Sequence, residues 1–150
     1  LALLSDKGVP CAVASASPRT LVEAHLRKGG VEAYFSAVIA GDDGLPSKPA
    51  PDVFLEASCR LHAAPANSLV LEDSPNGIRA ASAGGFLSVM VPDMIAPTPE
   101  TRRFATRVCN SLLDVCDLIA KLLALPINTI TALMGIPVVI YVVVRNRNIF

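Results

Sequence analysis

The stretch LVLEDSPNGIRAASAGG, residues 69–85, decides how the chain folds. A short apolar run ends in two adjacent carboxylates, Glu72 and Asp73, and a Ser-Pro-Asn-Gly turn follows. A small-residue segment then closes on Gly84 and Gly85. A short β-branched run bounded by turn residues marks a buried strand. Pro75 at the start and paired glycines at the end mark a helix. Two like charges at the end of a buried strand repel, and burying either is costly without a partner. Capping of the following helix is one answer, since carboxylates favour helix N-termini. A hard cation is another, because Mg²⁺ prefers carboxylate oxygens and water.

The same strand-to-helix alternation extends in both directions. VPCAVAS (residues 9–15) reads as a buried strand. The helix after it has Ser17 as its expected N-cap, Pro18 as its first residue and Gly29 and Gly30 as its stop. YFSAVIAGDD (34–43) is a second strand running into a loop. PDVFLEASCRLHA (51–63) is an amphipathic helix with Val53, Phe54, Ala57 and Leu61 on one face. FLSVMVPD (86–93) is a fourth strand, and PETRRFATRV (99–108) and SLLDVCDLIAKLL (111–123) read as helical. Repeated β-α units predict an α/β fold, a Rossmann-like parallel sheet with flanking helices. In such sheets ligands bind beyond the carboxyl ends of the strands. Those ends carry Ser15, Ala16 and Ser17, then Gly41 to Asp43, then Glu72 and Asp73, with Lys48 in the SKPAPD loop able to reach the same edge. A hydroxyl, an ammonium and two carboxylates on one edge suit a phosphate and a divalent metal. Each also has a plainer reading, as a helix cap, a solvated loop lysine or a capping carboxylate.

Composition bounds the alternatives. The 150 residues hold 13 basic and 13 acidic side chains, which leaves no basic footprint for nucleic acid. Cys11, Cys59, Cys109 and Cys116 show no C-x-x-C spacing and read as reduced, buried thiols of a cytoplasmic domain. The chain opens on Leu1 with no leader pattern, so its start reads as the cut edge of something longer.

AVASASPRTL (12–21), SKPAPDVFLEA (47–57) and LVLEDSPNGIRAASAGG resemble, in order, the second, third and fourth motifs of the haloacid dehalogenase-like hydrolases. MVPDMIAPTPETRR (90–103) resembles the continuation found in the branch of sugar-phosphate phosphatases and β-phosphoglucomutase. The resemblance runs over about residues 8–120. It implies a Mg²⁺-dependent phosphatase acting on small phosphorylated metabolites such as sugar phosphates. Ser15, with Ala16 and Ser17, would bind the transferring phosphoryl group, and Lys48 would neutralise it. Asp73, helped by Glu72, would hold Mg²⁺. Pro18-Arg19 stands where mutases of this branch often carry Lys-Asn, which favours a phosphatase over a β-phosphoglucomutase-like isomerase.

The family's chemistry begins with an aspartate nucleophile in a D-x-D-x-[TV] motif, and the 150 residues contain no D-x-D. Without that aspartate no phospho-aspartyl intermediate forms, so the chain is expected to be an inactive fragment. The absent strand would sit beside the first and third strands. Its loss predicts an apolar gap in mid-sheet and a marginal fold for residues 1–120.

The composition changes abruptly near Lys121, which divides the chain into a partial core, residues 1–121, and a hydrophobic tail, 122–150, of separate origin. Ile127 to Val144 carries no charge and precedes Arg145 and Arg147, the pattern of a C-terminal hydrophobic helix crossing a membrane. The β-branched IPVVIYVVV within it also suits a strand pairing at a sheet edge. LPINTITALMGIPVVIYVVVRNRNIF (125–150) is similar to the C-terminus of ABC transporter permeases for iron-siderophores and cobalamin, through Leu125, Pro126, Thr131, Ala132, Gly135 and Pro137. That resemblance implies a permease remnant and places the tail in a membrane.

Overall fold

The computed structural model describes residues 1–93, 95–124 and 138–141. In chain order the elements are α1 (Ala2–Asp6), β1 (Cys11–Ala14), α2 (Arg19–Lys28), β2 (Ala37–Ile39), α3 (Asp52–Arg60) and β3 (Ser68–Glu72). They continue with α4 (Pro75–Ala83), β4 (Leu87–Met90), α5 (Pro99–Phe104), β5 (Arg107–Val108), α6 (Leu112–Ala124) and β6 (Val138–Tyr141). The described strands form one sheet in the order β2-β1-β6-β3-β4-β5, and every neighbouring pair is parallel.

Alternation along the strands builds a core on each face of the sheet. Ala12, Ala14 and Val70 point to one side, where Val53, Phe54 and Ala57 of α3 and Ala80 and Ala81 of α4 cover them. The face of α3 expected from its sequence is therefore the one it buries. Cys11, Leu69, Leu71 and Val89 point to the other side, against Leu4 of α1 and Val115 of α6. Val13 meets Val22 and Leu26, one turn apart on α2. Each such fully buried aliphatic or aromatic side chain contributes about 1.5–3 kcal/mol relative to exposure.

The tail departs most from its sequence reading. Residues 138–141, inside the expected membrane span, form a strand and not a helix. The strand lies in mid-sheet, with Val139 level with Cys11 on one side and Leu69 on the other. It fills the position where the sequence predicts a gap. The reason is chemical: a central parallel strand, buried on both faces, is a continuous apolar run, and β-branched residues favour it. Along four or five residues that pattern is the same as that of a membrane span. Among the described residues no helix is long and apolar enough to cross a membrane. The remainder of 127–144 and the residues matching the permease pattern lie outside the described ones.

Smaller differences also have local causes. Ser17 does not cap α2; Pro18 takes that position with φ −56° and ψ 145°, and no side chain caps the helix. PETRRFATRV is helical only to Phe104, since Arg107 and Val108 pair with Val89 and Met90 respectively as an edge strand. All four cysteines are free thiols, but Cys59 and Cys116 are exposed because each lies off the buried face of its helix. Burial pushes the Cys11 thiol up from its ordinary value.

Candidate active site

β1, β2 and β3 end together, and their loops carry the candidate residues. Ser15 follows β1 and is buried; its backbone N–H donates to the Ile39 carbonyl at 2.9 Å, continuing the ladder one residue past the strand. The Ser15 hydroxyl oxygen accepts from the Ser17 backbone N–H at 3.1 Å, which folds residues 15–17 into a tight turn. Ser15, Ala16, Gly41, Leu45 and Lys48 line one small cleft.

Lys48 is the junction of the site. Its ammonium lies 3.3 Å from the Ala14 carbonyl oxygen at the end of β1 and 3.3 Å from Glu72 Oε1 at the end of β3. It also stands 4.7 Å from the centre of the Phe54 ring, within range of a cation–π attraction. The pair with Glu72 is largely out of water, with 10% of the lysine side chain and 2% of the glutamate side chain exposed.

Glu72 is held from a second direction by Ser74, the N-cap of α4. The Ser74 hydroxyl donates to Glu72 Oε1 at 2.7 Å and accepts from the Gly77 N–H at 3.0 Å. Ser followed by Pro at the first helical position is the sequence signal for this cap. Burial pushes the Glu72 carboxyl up from its ordinary range, against the opposing pull of Lys48 and the Ser74 hydroxyl. Glu72 Oε2 is buried and has no hydrogen-bond partner among the described residues. Asp73 follows on the half-buried loop leading to α4.

The structure thus brings Ser15, Ala16, Lys48 and Glu72 to one edge, with Ser17 behind the turn and Asp73 beside Glu72. Glu72 Oε1 is bonded to Lys48 and Ser74, which leaves Oε2 as the oxygen of Glu72 without a partner among the described residues. Ser74 and Phe54 are contributors that sequence reading passed over. The Ser-Pro pattern marks Ser74 as a helix cap, but neither it nor a phenylalanine on an apolar face shows a role beside Glu72 and Lys48 until the third dimension places it.

A sequence model of the haloacid dehalogenase-like hydrolases matches residues 1–91. The chain belongs to that family. It is 40% identical over 113 residues to a bifunctional riboflavin kinase/FMN phosphatase from Arabidopsis thaliana, covering 75% of this chain and 30% of the relative. It is 42% identical over 82 residues to fructose-1-phosphate phosphatase from Escherichia coli, covering 55% of this chain and 44% of the relative. Among solved structures, CbbY from Rhodobacter sphaeroides in complex with phosphate superposes with a TM-score of 0.70 at 31% identity, over 76% of this chain and 52% of that one. A β-phosphoglucomutase from Clostridium difficile shares the fold with a TM-score of 0.63 at 22% identity, over 86% of this chain and 50% of that one. The chain therefore spans less than half the length of these curated relatives and about half of these solved structures.

Proposed function

We propose that the chain is the phosphate- and metal-handling part of a phosphatase acting on small phosphorylated metabolites such as sugar phosphates, with Mg²⁺ as its cation. One observation carries the reading: Lys48 bridges the ends of β1 and β3, within 3.3 Å of both Ala14 O and Glu72 Oε1, while Glu72 Oε2 is buried with no partner among the described residues. A buried carboxylate oxygen without a donor is costly unless a cation completes it. The donor chemistry fits Mg²⁺, which is commonly held by one or two carboxylates and completed by waters and substrate phosphate. Among the described residues no cluster of three or more metal-ligating side chains forms, so Glu72 and Asp73 would supply part of the shell. When bound, the cation would neutralise charge on the phosphoryl group.

The chain's own groups have distinct roles in this reading. Lys48 offsets charge on phosphoryl oxygens, in a site dry enough to make that attraction strong. The turn offers the Ser15 and Ser17 hydroxyls and the Ala16 amide, since the Ser15 and Ser17 amides are already bonded within the fold. Free thiols and a Mg²⁺-dependent phosphate site suit a cytoplasmic core. The names of the relatives favour a phosphatase, and so does Pro18-Arg19 after the second motif. The 150 residues contain no D-x-D, so this chain should turn over no phosphate ester by itself.

Thermal unfolding of the 150-residue chain during Mg²⁺ titration tests the reading. Stabilisation of about 2.7 kcal/mol is expected at a hundred times the dissociation constant, and none in Asp73→Ala. A wild-type chain indifferent to Mg²⁺ would remove the metal site. Turnover of p-nitrophenyl phosphate would overturn the inactive reading.

A further inference from the structure

Arg19 and Asp43 lie outside the cleft, yet they join its two sides. Arg19 is the first residue of α2, directly after the Ser15–Pro18 turn, and Asp43 sits in the loop between β2 and the Lys48 segment. The Arg19 guanidinium donates to both oxygens of Asp43, at 2.8 and 2.7 Å, and to the Val38 carbonyl at 3.1 Å. The Arg19 backbone N–H donates to Asp42 Oδ1 at 2.9 Å. Asp43 Oδ2 also accepts from the Ala40 N–H at 3.0 Å. Beside this pair the Gly41 N–H donates to the Ser17 carbonyl at 2.8 Å. A Cβ at Gly41 would run into the Ala16 carbonyl, so the two loops are in backbone contact.

These bonds have a directional consequence. The turn that would present the Ser15 hydroxyl is fixed to the post-β2 loop, and the Lys48 segment begins two residues after Asp43 at Leu45. Lys48 is held to this edge at its tip by the Ala14 carbonyl, and the backbone that carries it is held to the Ser15 turn by a contact that touches neither residue. All three contacts come from one guanidinium nitrogen, Nη2, while Nη1 faces Glu23 Oε1 at 3.5 Å; a lysine, with its single nitrogen, cannot serve both carboxylates.

We propose that the Arg19–Asp43 pair is a positioning device that sets the phosphate cleft between the Ser15 turn and Lys48; the inference rests on the reading of that cleft as a phosphate site. Neither residue touches phosphate. Loss of the pair lets the turn and the lysine drift apart, and small misplacements at such sites cost binding disproportionately.

The test is a titration of the full 150-residue chain with inorganic phosphate in the presence of Mg²⁺, followed by backbone amide NMR shifts of Ser15, Ala16, Ser17 and Lys48. Arg19→Ala should weaken phosphate by about tenfold, and Arg19→Lys should recover only part of the loss. Arg79→Ala is the control, because it breaks an equally short exposed pair, Arg79–Glu100 at 2.7 Å, away from the cleft. It should leave phosphate affinity unchanged. If Arg19→Ala binds phosphate as the wild type does, or if Arg79→Ala weakens it equally, the positioning role is overturned. If Arg19→Ala fails to fold, Asp43→Asn decides in its place, with the same expected direction. A wild-type chain whose cleft amides ignore phosphate overturns the phosphate reading, and the inference with it.

Discussion

Gly41 and Gly77 stand on opposite sides of the cleft, and neither has room for a methyl group, but different atoms fill the space. At Gly41, after β2, the obstacle is the backbone carbonyl of Ala16. At Gly77, in the first turn of α4, it is the carboxylate of Glu72. The β1–β2 side is thus in direct backbone contact, and short bonds from the backbone and from the Arg19–Asp43 pair close it. The β3–α4 side is built from side chains, and it keeps one buried carboxylate oxygen open. The first side has the properties of a frame and the second those of a ligand site.

The two sides meet through β6, which hydrogen-bonds to both β1 and β3. Removing residues 125–150 should break the comparison outright. Each internal hydrogen bond nets about 1 kcal/mol, so losing two ladders is comparable with the roughly 5–15 kcal/mol that holds a domain. Residues 1–124 alone should therefore show no cooperative thermal transition by circular dichroism. A sharp transition would mean that the halves close on each other without β6.

Paired substitutions sharpen the contrast at smaller cost. Gly41→Ala should lose about 3 kcal/mol in urea unfolding, because a backbone carbonyl cannot step aside. Gly77→Ala should lose only about 1 kcal/mol. Alanine regains about 1 kcal/mol of helix propensity, which offsets much of the cost of moving the Glu72 carboxylate from its donors. Its larger effect should be on function: the Mg²⁺-dependent stabilisation should disappear while the fold persists. Equal stability losses at the two positions would erase the distinction between frame and ligand site.

How legible these features were in the sequence follows from their range. The parallel sheet was legible because β1, α2, β3 and α4 each carry a local period and a stop signal. The clustering of Ser15, Lys48 and Glu72 was legible because parallel topology sends every strand end to one edge. The assignment of Glu72 Oε1 to Lys48 and Ser74 was not, since strand-end position says nothing about which oxygen meets which donor. β5 was illegible because two residues have no period; Arg107 and Val108 extend only because β4 offers an edge. Ser17 gave a misleading cap signal, because its carbonyl is drawn to Gly41, twenty-four residues away in sequence. β6 was ambiguous for a physical reason: bilayer and sheet interior select the same apolar residues, and only the neighbouring strands distinguish them.

The smallest expected effect concerns the frame's own charge pair. The Arg19 guanidinium bonded to Asp43 holds that carboxyl below its ordinary range, helped by the Ala40 N–H and by the charges of Arg19 and Arg60, against some desolvation. A carboxyl whose folded value is depressed stabilises the fold above its unfolded value, about 3.9 for aspartate. That contribution falls away as the pH drops through the lower, folded value. The pair is partly exposed, at 36% for Arg19 and 17% for Asp43, so solvent screening limits its worth to about 1 kcal/mol or less. Melting temperatures measured between about pH 2 and pH 6 should therefore fall more steeply toward acid in the wild type than in Asp43→Asn, with the two curves drawing together at the acid end. Parallel curves would mean that Asp43 titrates alike in both states, and that the bonds around Arg19 hold the loops by shape and not by charge.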